Sequence, residues 1–122
     1  MSDDRPAKAE LLTADDVESI FAGDDRTTVD LYIPEWKKTI RLRQLSAADL
    51  HQIHHAAKDD QLGMERMVSL SVVDANGIRL FKDPERLTGR SVAVLDRIQD
   101  EALKLNGLYG KAMAAVAAAK NG

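Results

Sequence analysis

The chain has 122 residues, 44% apolar and 30% charged, with a formal net charge of −3; this is the composition of one globular domain with a radius of gyration of about 14 Å. The absence of cysteine excludes disulfide scaffolds, thiolate metal centres and cysteine nucleophiles. The acidic surplus of 20 Asp and Glu over 17 Lys and Arg argues against nucleic-acid binding, whose affinity comes largely from neutralising phosphates, and no apolar run approaches the roughly 20 residues of a membrane span.

Residues 1–12 are acidic, contain proline and show no period, so they read as a flexible leader. The opening Met1-Ser2-Asp3-Asp4 lacks the basic-then-apolar pattern of a secretion signal, which predicts a reducing, cytosolic setting. Thr13 to Gly23 predicts a two-turn helix with a hydroxyl cap, acids in its first turn and a closing glycine. Its apolar residues Val17, Ile20 and Phe21 form one face to be laid on another element. The period then changes to two. Val29, Leu31 and Ile33 alternate with Thr28, Asp30 and Tyr32, and Ile40 and Leu42 alternate with Thr39, Arg41 and Arg43. With Pro34 to Lys38 between them, these runs predict an antiparallel hairpin whose outer face sets Asp30 beside Arg41 and Arg43. Two strands alone are marginal in water, so helices are expected to cover the inner face.

Ser46 with Asp49 predicts a capping box, opening an amphipathic helix with Leu50, Ile53, His54 and Ala57 on its apolar side and an end near Lys58. A second helix over 61–73 is apolar around most of its circumference, so it is expected to be central or partnered. Asp74-Ala75-Asn76-Gly77 reads as a turn, Ile78 to Phe81 as a short extended segment, and Asp83-Pro84 as a helix start. Ser91 caps a longer helix reaching Asn106-Gly107, and Tyr109, Met113 and Val116 suggest a last, alanine-rich helix. The expected fold is α+β, mainly α: an N-terminal β-hairpin packed on a small bundle of four to five helices. A single domain spans 13–108, and 109–122 form a C-terminal helix or tail.

Catalytic chemistry finds little support. His51 and His55 are spaced i, i+4, as two zinc ligands on a helix would be, but Gln52 stands where a metalloprotease needs its general base, and no further ligand accompanies them. No metal is expected. Asp74, Asn76 and Gly77 resemble the start of a calcium loop whose later ligands are missing. The acid pairs Asp15-Asp16, Asp24-Asp25 and Asp59-Asp60 sit at helix starts or ends, where carboxylates cap amides or stay solvated. Catalytic and cofactor sites are therefore both expected to be absent. What remains points to binding. Trp36 in the hairpin loop is a candidate interface anchor, against the alternative that it folds back onto its own hairpin. Met64, Met67, Met113 and Val116 are candidates for an adaptable apolar surface that receives a partner helix, against the alternative that they fill the core.

The segment Ile33-Pro34-Glu35-Trp36, followed by Thr39 to Asp49, resembles the hairpin-into-helix of tail assembly chaperones from long-tailed (siphovirus-type) bacteriophages. Val72 to Phe81 forms a second block that is similar to that family, continued by Leu87, Ser91, Leu95, Ile98 and Leu105-Asn106-Gly107. The likeness spans residues 28–108. It implies a non-enzymatic factor in the cytoplasm of an infected bacterium, one that binds the tape measure protein, keeps it soluble, helps recruit tail tube subunits and is absent from the finished virion. It further implies that the family's longer, frameshifted form could exist beside this chain; Lys120-Asn121 is compatible with an A-rich slippery codon run. Homo-oligomerisation is left open. The rival readings are another small morphogenesis protein, such as a head–tail joining subunit, and a small metal-dependent enzyme built on His51 and His55.

Overall fold

The structure, a computed structural model, describes residues 10–56 and 62–108. Met113, Val116, the predicted last helix and the Asp59-Asp60 cap lie outside the described residues. A 3-10 turn, Ala14–Asp16, leads into α1 (Val17–Ala22), then β1 (Thr28–Ile33), β2 (Lys38–Arg43), α2 (Ala47–Ala56), α3 (Gly63–Ser71), β3 (Val72–Val73), a second 3-10 turn (Pro84–Leu87) and α4 (Val92–Leu105). The fold is α+β and mainly helical.

The alternating runs pair as antiparallel strands from Thr28↔Arg43 to Ile33↔Lys38. Their apolar sides turn inward: Ile33, Ile40 and Leu42 are buried, with Val29 and Leu31 packed beside them. On the outer face Arg41 makes a bidentate pair with Asp30, at 2.8 and 3.1 Å. Arg43 turns instead to Asp24, at 3.9 Å. The loop is one residue shorter than expected, because Lys38 already belongs to β2. It closes through the Trp36 amide donating to the Ile33 carbonyl and the Lys37 amide donating to the Pro34 carbonyl, both at 3.1 Å. Lys37 adopts the left-handed region, φ 53°, which costs an L-residue about 1–2 kcal/mol. Part of that cost is offset by glycine's greater freedom in the unfolded chain. Lys37→Gly is therefore expected to stabilise the protein by about 0.5–1 kcal/mol, read as a higher urea midpoint.

The sheet has a third strand that the sequence pattern assigned to a helix. Val72 and Val73 pair antiparallel with Leu42 and Arg41, so the helix expected over 61–73 ends at Ser71. Two β-branched residues followed by a tight turn favour extended backbone, and β2 offers them an unpaired edge. Asp74 fixes that turn by accepting from the amides of Asn76 (2.8 Å) and Ile78 (2.9 Å), while Gly77 supplies φ +81°.

α3 is central, as a helix apolar on most sides must be. It packs on α4, α2, β2 and the second 3-10 turn, and Met67, Val68, Ser69, Leu70 and Ser71 are all buried. One apolar cluster joins the sheet to Val68, Val72, Leu87, Val94, Leu95 and Ile98. A second joins Ile53, Met67, Leu70 and Ala102. Each of these side chains larger than alanine stabilises the fold by about 1.5–3 kcal/mol through burial. Ser46 and Asp49 form the expected reciprocal cap of α2, at 3.0 and 3.1 Å. The exit of β2 is tied to the end of α4: Gln44 Nε2 donates to the Leu105 carbonyl at 2.9 Å, and Asn106 Oδ1 accepts from the Leu45 amide at 2.7 Å.

Two expectations about exposure are corrected. The apolar face of α1 is not laid on the body, since Ile20 is 51% and Phe21 80% exposed. His54, placed on the apolar side of α2 by spacing, is also exposed, and Ile53 alone of that helix is buried.

Candidate functional site

The surface of greatest interest begins at the hairpin loop. Glu35 accepts two bonds from the Arg97 guanidinium, at 2.8 and 2.9 Å, which fastens the loop to α4. The guanidinium holds the Glu35 carboxyl below its ordinary 4.5, at about 2. A carboxyl depressed in the folded state contributes stability that is complete above its unfolded value and is lost as the pH falls. Glu35→Gln is therefore expected to lower the neutral plateau of a melting-temperature profile slightly, the pair being exposed, and to flatten its acid limb between about pH 4.5 and 2 by that same small amount.

Next to Glu35, Trp36 is half-buried and meets Phe81 edge to face, with ring centroids 6.0 Å apart and planes at 69°. Phe81 is held from beneath. The Ser69 hydroxyl, on α3, donates to the Phe81 carbonyl. Arg79 donates through Nη2 to Ser69 Oγ (2.8 Å) and through Nε to the Ser69 carbonyl (3.1 Å). The second of these bonds satisfies one of the carbonyls that a helix leaves orphaned in its last turn.

Two concavities meet at this point. One, of about 460 Å³, runs past Trp36, Lys38, Arg41 and Val73. The other, of about 620 Å³, is floored by Leu87 and bordered by Lys82, Arg86 and Arg90. Leu80 and Phe81 line both, so the two adjoin along this segment as the halves of a furrow. Leu80 is 56% exposed and Ile78 beside it 55%. Arg26, Arg41 and Arg97 each face a carboxylate, whereas Lys82, Arg86 and Arg90 make no ion pair among the described residues. The larger concavity therefore joins an apolar floor to a margin in which Lys82, Arg86 and Arg90 outnumber Asp83, whereas Asp30 and Asp74 stand among the residues of the other.

The candidates from the sequence are dispersed. Trp36 stands in the furrow wall and Met64 packs partly buried against the larger cluster. Met67 is 5% exposed, inside the smaller cluster. This corrects the expectation that Met67 borders a binding surface: α2 and α4 cover it with Ile53 and Ala102. Met113 and Val116 lie outside the described residues. Sequence reasoning passed over Leu80 and Phe81, although a short extended segment with large apolar residues between charges was a usable signal. His51 and His55 are exposed on α2. Among the described residues no three His, Asp or Glu side chains are grouped to hold a metal ion, and no helix is long and apolar enough to cross a membrane.

No protein-family profile and no curated relative matches the sequence. Among solved structures the chain is similar to the tail assembly chaperone of bacteriophage HK97, at 14% identity and a TM-score of 0.59, over 76% of this chain and 95% of that one. At that identity the likeness concerns architecture: this chain has the fold of a phage tail assembly chaperone.

Proposed function

We propose that this protein is a non-enzymatic tail assembly chaperone. In this reading it binds the tape measure protein of its phage in the host cytoplasm, keeps that long polypeptide soluble and helps recruit tail tube subunits, the last through a longer, frameshifted form of the chain. It then leaves before the virion is complete. The observation that carries the reading is the fold likeness, which spans nearly the whole HK97 chaperone and agrees with the order of blocks over residues 28–108.

The physical requirements of the task support it. A tape measure protein exposes apolar helical stripes until the tube encases it, and exposed stripes aggregate. A protector needs an apolar surface of modest affinity that accepts varied sequences and yields to the tube. The furrow with Trp36, Leu80 and Phe81 has that character, and Met64, Met113 and Val116 remain proposed contributors. Met67 supports the surface from the core.

Co-expression with the tape measure protein encoded by the same phage tests the proposal. The client is expected in the soluble fraction and bound to this chain, and insoluble when the chain is omitted. Equal solubility without it, or recovery of the chain as a stoichiometric component of purified particles, overturns the reading.

A further inference from the structure

The described residues leave the apolar face of α1 without cover. Leu11 is 91%, Leu12 65%, Ile20 51% and Phe21 80% exposed, and neither α1 nor the turn before it has a buried side chain. A helix of six residues is not held in water by its own backbone bonds, since isolated helices shorter than about 12 residues are marginal. It needs a covering element. The stretch Glu10 to Asp25, with six acidic residues and no Lys or Arg, favours a basic one.

Residues 109–122 meet both requirements and begin beside α1. The end of α4 is closed by a Schellman turn: the Leu108 amide donates to the Leu103 carbonyl at 2.8 Å and the Gly107 amide to the Lys104 carbonyl at 3.1 Å, with Gly107 at φ 70°. The chain therefore leaves the axis of α4 at Leu108. One side chain joins that point to the root of α1. Gln44 donates through Nε2 to the Leu105 carbonyl and accepts through Oε1 from the Thr27 amide, both at 2.9 Å. Asp24 lies 3.9 Å from Arg43 and Arg26 lies 3.8 Å from Asp49, which keeps the segment between α1 and β1 at the same end of the sheet.

Beyond Leu108 the chain carries two lysines and no acid, and Tyr109, Met113, Val116 and Lys120 recur at i, i+4, i+7 and i+11, one apolar stripe of a helix that ends on a cation. That stripe would be about 16 Å long. The helical turns from Ala14 to Ala22 span about 14 Å, so the two lengths match.

We infer that residues 109–122 form a helix that covers α1 of the same chain, running antiparallel to it, with Tyr109, Met113 and Val116 lying on Phe21, Ile20 and Leu12 while Lys120 faces Asp15. In the free protein Met113 and Val116 are then masked, and a client that uses them has to displace α1. The contact itself does not depend on the proposed client, and its failure would leave the co-expression test untouched.

A nitroxide placed on Met113→Cys, in a chain otherwise free of cysteine, tests it in the full protein in dilute solution. The amide resonances of Val17–Ala22 are expected to broaden, while those of Ile78 to Phe81, beside the hairpin loop, stay sharp. When isotope-labelled wild type is mixed with unlabelled nitroxide-bearing chain, the broadening should disappear, because the contact lies within one molecule. Met113→Asp with Val116→Asp should speed hydrogen exchange of the α1 amides about tenfold or more, the size expected when a buried apolar contact is lost, and leave the amides of β1 and β2 as in the wild type. Amides of α1 that stay sharp, broadening that persists in the mixture and so puts a second copy on α1, or α1 exchange indifferent to the two substitutions would each overturn the inference.

Discussion

Met67→Asp is expected to unfold the protein. The side chain is 5% exposed, enclosed by Ile53, Leu70 and Ala102. Truncating a buried methionine costs about 2–5 kcal/mol, and an unpaired carboxylate in its place adds several more. Against a total stability of about 5–15 kcal/mol for a domain, the sum is large enough to remove the cooperative transition. Met64→Asp, on the same helix but only partly buried, should cost about 1–2 kcal/mol and leave a folded chain. Far-UV circular dichroism through a urea titration separates the two. A Met67→Asp variant that melts like the wild type would mean that α2 does not cover this position in solution, and Met67 would return to the surface.

Arg79→Met is expected to cost about 2–3 kcal/mol, with an effect that reaches the furrow. The substitution keeps most of the aliphatic stem and removes both donors to Ser69. The Ser69 residue is fully buried, so its carbonyl near the end of α3 loses a charge-assisted bond where water does not readily replace it. Such a loss costs about 1–3 kcal/mol. The Ser69 hydroxyl also holds the Phe81 carbonyl, and Phe81 in turn abuts Trp36. Trp36 fluorescence should therefore shift in Arg79→Met under conditions where the protein remains folded. An unchanged Trp36 spectrum together with a stability loss would confine the role of Arg79 to the end of α3.

Much of the scaffold is legible in the sequence because the interactions that build it are local. The alternation over 28–33 and 39–43 places Ile33, Ile40 and Leu42 on one side of any extended backbone, and Asp30 opposite Arg41 on the other. Ser46 and Asp49 cap whatever helix follows them, and Asp74 with Gly77 makes a turn regardless of what surrounds it. Each depends on groups a few residues apart, or on one hairpin register.

Other features were decided only by the tertiary structure. Val72 and Val73 end an apolar run that suits a helix or a strand, and the free edge of β2 made them a strand. Met67 and Phe21 both look like members of an apolar helical face, yet one is enclosed and the other lies in water. The furrow gathers Trp36 from the hairpin loop and Phe81 from the segment after β3, residues far apart in the chain. A stripe specifies which side chains seek cover; whether cover comes from this chain or from another depends on where the remaining elements pack, and that depends on contacts distant in sequence.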